Sequence, residues 1–418
     1  MREWYIVLTM KIWIKVAIGT IIGILLAVFL PETVNNKNLF AYLFDLIIHI
    51  GRYAIFPIVL FSLSMGVYEL KREQVMGKIY LRIILYLILT TALLTVIGTF
   101  SVLAISPSRI PIIIEDETVY SLPHIKDILL QIFPKNLFQI FISSGNFLFP
   151  LYFFAFFLGM NFTFDKTITK PAVEFFDSMS RIFYHINSFI IEVISTGCIA
   201  LSAHFLFQVR EIQEIALFEQ LILTLIINSA VIIFGLYPAL LYFLGGRKNP
   251  YRWLYGIAAP AVIGFLSRDS YFSLSFLIKH GKENLGIPRK IGAAGFPFFA
   301  IFGRAGTAMV TSISFIIILK SYSSLGIEIS HLLWTMSFAF LLSFLLGTVP
   351  GLGTFISLSI LCTLYGTGVE EGYLILKPIA PLLISFSVLL DVVTSAFSTY
   401  LVSIHEDMNK EVEAVDFI

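Results

Sequence analysis

Leu266-Ser267-Arg268-Asp269-Ser270-Tyr271-Phe272 sets two opposite charges side by side within an apolar run over residues 253–285. An ionisable group at bilayer depth costs about 2.5–3.5 kcal/mol on insertion scales, so a plain spanning helix would not carry such a pair at its centre. Lys248 and Arg252 precede the run, and Lys279 and Lys282 stand near its end. Basic residues mark the cytoplasmic ends of membrane segments. Both ends of this run therefore belong on one side, and the chain is expected to turn at Arg268-Asp269-Ser270 as a re-entrant hairpin. A second stretch, Gly347-Thr348-Val349-Pro350-Gly351-Leu352-Gly353, interrupts the run 330–366, whose ends at Glu328 and Glu370-Glu371 fall on the opposite side. Two hairpins from opposite faces make an inverted repeat, the pointer to a solute site near the midplane of secondary transporters. Non-helical backbone survives at that depth only where it lines a cavity or is buried in protein.

Outward from these two runs the chain stays apolar. Of 418 residues 58% are hydrophobic and 13% charged, too few charges to cover a soluble surface of this size, and 41 are Phe. Further spans are expected at about 12–30, 39–69, 78–106, 137–162, 171–208, 216–245, 290–320 and 372–404. The run 290–320 is interrupted by Gly303-Arg304-Ala305-Gly306, and 372–404 carries one acid, Asp391, in its middle. The first run is too long for a signal h-region and no Ala-x-Ala-like site follows it, so it is expected to be a retained helix. Lys and Arg gather on alternate connections, at Arg2 and Lys11, Lys71 to Arg82, Lys166 and Lys170, and Arg247 to Arg252. This predicts a cytoplasmic N-terminus. Residues 405–418 read as a short polar tail. The fold class is an all-α membrane protein of eight transmembrane helices plus two re-entrant helical hairpins.

Net charge is +1, which gives no basic field for nucleic acid. Cys198 and Cys362 both lie in apolar runs, so no disulfide framework or metal site is expected. No Gly-x-Ser-x-Gly elbow, Gly-Lys-Ser/Thr loop or His-Glu-x-x-His motif stands in a suitable context. No cofactor is expected, and the chain is not expected to be an enzyme or an ATP-driven pump.

In element order the chain resembles the dicarboxylate/amino acid:cation symporter family, the glutamate transporters. Pro57-Ile58-Val59-Leu60-Phe61-Ser62 is similar to a run in the family's second helix. Ile132-Phe133-Pro134-Lys135-Asn136-Leu137-Phe138 resembles its Ile-Pro-x-Asn-x-Phe, with one extra residue, and Val349-Pro350-Gly351-Leu352-Gly353 matches its second hairpin tip. Where the family has Asn-Met-Asp-Gly-Thr in its seventh helix, this chain has Gly303-Arg304-Ala305-Gly306-Thr307. In the eighth helix Asp391 matches the second of two acids, while Ser387, Thr394, Ser398 and Val402 stand at the other polar positions. Thr90-Thr91 fits a Thr-Ser pair near a sodium ion. The resemblance implies alternating access by a transport core, about 78–106 and 216–404, moving against a scaffold, about 12–69 and 137–208. It also implies a homotrimer, placed in the inner (plasma) membrane of a bacterium.

The substrate-binding candidates are Arg268, Asp269, Ser270, Arg304, Thr307, Val349, Pro350, Gly351, Gly353, Asp391, Thr394 and Ser398; the coupling-ion candidates are Thr90, Thr91, Gly303 and Asp391. The four charged groups admit a plainer reading as a salt-bridge set that holds the hairpins together. The functional reading is a solute site, in which Arg grips a carboxylate or phosphate and Asp391 meets an amino group or a coupling proton. Two Arg and two Asp balance, so the solute need not be an anion. Pro350, Gly351 and Gly353 break a helix in any case. An unwound tip also frees backbone groups for a ligand and lets the tip act as a gate. His185 reads as a packing residue and Arg52 as interfacial or paired within its own scaffold, not as a ligand group. The function expected is secondary transport of an amino acid or dicarboxylate type of solute, with sodium, a proton or neither as coupling ion. A channel and a transport-inactive scaffold or receptor are the rivals.

Overall fold

The computed structural model describes residues 10–105, 107–111, 130, 134–142, 148–212, 214–246, 249–322, 328–346 and 351–418. The described residues are helical, with no strand among them. Val349 and Pro350, the Ile132-Phe133 half of one motif, and Arg2, Arg247 and Lys248 lie outside them.

Among the described residues, seven helices are long and apolar enough to cross a bilayer. In chain order they begin with α1 (Ile12–Phe29), α2 (Val34–Arg72) and α3 (Met76–Ile105). The shorter α4 (Leu148–Asn161) is followed by the long α5 (Lys166–Arg210) and by α6 (Ile215–Leu244). A helix–break–helix pair, α7 (Ala258–Ser267) and α8 (Ser270–Glu283), comes next. The sixth of these spans is two helices, α9 (Arg289–Phe302) and α10 (Ala305–Tyr322). A second pair, α11 (Ile329–Ser343) and α12 (Gly353–Tyr365), precedes α13 (Ala380–His405). Both pairs pack helix against helix, and α13 runs unbroken through Asp391.

Local chemistry sets the bounds. Thr33 caps α2 by accepting the Asn36 N–H at 3.3 Å, and Asp165 caps α5 through the Thr167 and Ile168 N–H groups. α2 bends at Tyr53 and widens into π-helical turns at Val59–Leu63, just after Pro57, whose missing N–H cannot close the regular ladder. α6 widens likewise at Val231–Leu236, before Pro238.

Packing then sorts the helices. α1 lies on α5 along Gly19 and Gly23, where an added Cβ at Gly23 would stand 2.2 Å from the Ile199 carbonyl oxygen. Small residues four apart permit such approach where no water drives association. At the other extreme, α10 is wrapped by α3, α11, α12 and α13, and the apolar stretch of Arg289–Tyr322 is 94% buried within the protein. The outward faces are apolar, as at Ile21, Leu25 and Phe29 of α1 and Leu81, Leu85 and Leu89 of α3, which suits lipid.

The expected polar tail is packed in place. The Lys410 N–H bonds to the Gly286 carbonyl at 3.0 Å, and Phe417 is buried 5.5 Å from the Tyr255 ring. An apolar residue in the tail gave it something to bury.

Candidate functional site

The turn between α7 and α8 is two residues long. Arg268 ends α7 in the left-handed region, φ 56°, ψ 27°, which costs an L-residue about 1–2 kcal/mol and is tolerated at a helix C-terminus where the chain must reverse. Asp269 then caps α8: Oδ1 accepts the Tyr271 N–H at 2.9 Å and the Phe272 N–H at 3.2 Å. Its other oxygen pairs with Arg52 of α2. The Arg268 guanidinium donates to Gln208 of α5 and lies 5.3 Å over the Phe44 ring. Arg268 thus faces α2 and α5 and makes no ion pair with Asp391. Arg52, read as interfacial or paired within a scaffold helix, has its partner in the α7–α8 turn. An arginine at bilayer depth needs a carboxylate, and Asp269 supplies one.

Asp391 serves the break between α9 and α10. The Gly303 N–H bonds back to Phe299 at 2.7 Å, and α10 restarts at Ala305 with its first N–H groups free. Asp391 Oδ1 accepts from Gly306 N at 2.7 Å and Thr307 N at 3.1 Å, and Oδ2 accepts from Thr307 Oγ1 at 2.7 Å. A carboxylate from α13 therefore caps α10, where the helix dipole also favours it. Arg304 is 2% exposed. Its Nη1 lies 3.7 Å from Asp391 Oδ2 and donates to the hydroxyl of Ser270, while Nε and Nη2 are buried without a hydrogen-bond partner.

The second helix pair meets the same place. A Cβ on Gly351 would stand 3.5 Å from the Arg268 carbonyl oxygen, and one on Gly353 would stand 3.7 Å from Thr307 Cγ2. Thr354 donates to Ser387 of α13 at 2.7 Å. The structure therefore gathers Arg268, Asp269, Ser270, Arg304, Thr307, Gly351, Gly353 and Asp391.

The remaining candidates divide. The Thr394 hydroxyl is 2.5 Å from Tyr237 OH of α6 and already engaged. Ser398 is buried with its hydroxyl unpartnered. Thr90 bonds to the Tyr86 carbonyl of its own helix at 2.7 Å, whereas the buried Thr91 hydroxyl has no partner.

The sequence profile described as the Sodium:dicarboxylate symporter family matches residues 11–404. The chain belongs to this family. Among its relatives, the chain is 22% identical to Excitatory amino acid transporter 3 of Oryctolagus cuniculus, over 99% of this chain and 87% of that one. It is 24% identical to Neutral amino acid transporter B(0) of the same species, over 67% of this chain and 58% of that one. Excitatory amino acid transporter of Onchocerca volvulus is 21% identical, over 73% and 71%.

For a member of the sodium:dicarboxylate symporter family, the charge count at the site is notable. Sequence reasoning balanced two Arg against two Asp. With Arg52 paired to Asp269 and Arg304 beside Asp391, two guanidinium groups meet two carboxylates, and the Arg268 guanidinium stands apart from them on Gln208. Reading Arg52 as a membrane-depth charge in need of a partner would have found its pair. Gln208 and Tyr237 were also missed. They are single polar groups in long apolar helices, with no local pattern to single them out.

Proposed function

We propose that the chain is a secondary transporter that carries a small organic solute with a carboxylate group, of amino acid or dicarboxylate type, by alternating access. The observation behind this reading is the meeting of the α7–α8 turn, the chain entering α12, one broken helix and Asp391 in one place, where the buried Arg304 keeps donors to spare. Arg304 keeps two N–H groups without partners, and a carboxylate accepts from such a fork bidentately. Gly351 lies against the Arg268 carbonyl, and the end of the second helix pair that carries it acts as the gate. The scaffold is α1, α2, α4 and α5; α3, α6 to α13 and the solute move against it. The chain sits in the inner membrane as a homotrimer with its N-terminus in the cytoplasm. Sodium coupling is not favoured, because both carboxylates at the site are already engaged.

Counterflow in proteoliposomes tests the reading. Aspartate, glutamate, succinate and neutral amino acids are loaded one at a time, and uptake of the labelled solute is followed. Uptake that saturates and is accelerated by the internal solute is expected for at least one of them. A flux that rises linearly with concentration would make the protein a channel, and solute-dependent thermal stabilisation without flux would make it a receptor.

A further inference from the structure

The family's description names sodium, and a bound monovalent cation needs several converging oxygen ligands, from carboxylates, carbonyls or hydroxyls. Among the described residues, the two carboxylates of the site do not fit one. Both Asp391 oxygens are occupied by hydrogen-bond donors, from Gly306, Thr307 and the Thr307 hydroxyl, with Arg304 beside them. Both Asp269 oxygens are likewise taken, one by two N–H groups and the other by Arg52. Oxygens that accept N–H groups face positive dipoles and are poor ligands for a further cation. Gly303 and Ala305, which flank Arg304 at the break, offer no side-chain oxygen. Buried hydroxyls without partners remain at Thr91 and Thr99 of α3, at Thr311, Ser312 and Ser314 of α10, and at Ser385, Ser395, Ser398 and Thr399 of α13. They are neutral, so a cation among them would be held by dipoles alone, apart from the carboxylate beside Arg304.

We infer that Arg304 is a resident cation: its guanidinium, fixed beside Asp391 at the start of α10, stands where a mobile cation would otherwise be recruited, so that the site assembles without sodium. The inference deepens the transporter reading and rests on it for its meaning. Three features carry it. The side chain is almost wholly buried, so its charge acts in a low dielectric. It joins α9–α10 to Asp391 on α13 and to Ser270 at the first turn, so one group ties three elements together. A guanidinium keeps its charge at any physiological pH, so the tie does not depend on the ion gradient.

The test needs no solute. The unfolding midpoint of the purified protein in detergent is measured in sodium chloride and in choline chloride at equal ionic strength. The wild-type midpoint is expected to be the same in both, since a ligand raises the midpoint only by binding the folded state. Arg304→Met frees Asp391 and is expected to lower the midpoint in choline and to recover part of the loss in sodium, with saturation. Arg304→Lys keeps a charge at the same position and is expected to stay indifferent to sodium; it carries the comparison if the Met variant does not fold. A saturable sodium-dependent rise in the wild type overturns the inference. So does a folded Arg304→Met as indifferent to sodium as the wild type, or an Arg304→Lys that responds to it. Absence of counterflow with every solute would sink the transporter reading and leave this measurement unaffected.

Discussion

Arg268 carries two properties that one substitution can separate. Its backbone sits at positive φ, and its guanidinium is held by Gln208 and Phe44. Arg268→Ala removes the side chain and keeps the strain. Arg268→Gly removes both, since glycine adopts this region at no steric cost. The Gly variant is expected to be the more stable of the two by about 1 kcal/mol, read as a higher unfolding midpoint. Both are expected to lose solute affinity if the Arg268 charge draws the solute. An Ala variant at least as stable as the Gly variant would show that the turn relaxes away from positive φ. The position of this turn was legible because opposite charges interrupt an apolar run. The partner of each charge was not, because Arg52 and Asp269 lie far apart in sequence and nothing local links them.

At the scale of elements, one seam stands out. Arg289 at the start of α9 bridges Glu69 of α2 and Asp177 of α5, the latter at 2.6 Å. Lys290 pairs with Glu73, the residue that ends α2, and Lys279 of α8 lies 3.2 Å from Glu192 of α5. With the Arg52–Asp269 pair, every tie runs from α2 or α5 to α8, α9 or the turn before them. That is the line along which the proposed core would slide. Partly exposed pairs contribute about 0–1 kcal/mol each, enough together to set which arrangement is populated. Arg289→Gln removes two of them. Spin labels on α2 and α9 are expected to show a second, longer distance in that variant, and the wild type is expected to approach it at high ionic strength. A single unchanged distance in both would mean that the seam is not the sliding surface.

For the molecule as a whole, the sequence predicted the helix order well because length and hydropathy speak for each segment alone. Even there, α5 begins at Lys166 rather than near residue 171, since the Asp165 cap outweighs Pro171. The breaks at Arg268-Asp269 and Gly303-Arg304 were legible for the same local reason. The arrangement of the site was less so. Thr394 and Thr90 looked available as ligands, yet one is engaged by Tyr237 across α6 and the other by its own helix. Hydroxyls in membrane helices bond readily to the carbonyl one turn back, and a motif match does not reveal whether that has happened.

The enclosure of Arg289–Tyr322, with Arg304 inside it, sets a problem of timing during synthesis. Arg304 leaves the ribosome well before Asp391, so the nascent segment reaches the bilayer with its charge unanswered, at a cost of about 2.5–3.5 kcal/mol. It should linger at the insertion machinery until α13 arrives, and only then settle. Nascent chains halted just after Tyr322 are therefore expected to leave a cysteine placed beside Arg304 open to a water-soluble thiol reagent. Chains extended past His405, or halted chains carrying Arg304→Leu, are expected to shield it. Equal shielding at both lengths would mean that the earlier helices alone shelter the charge.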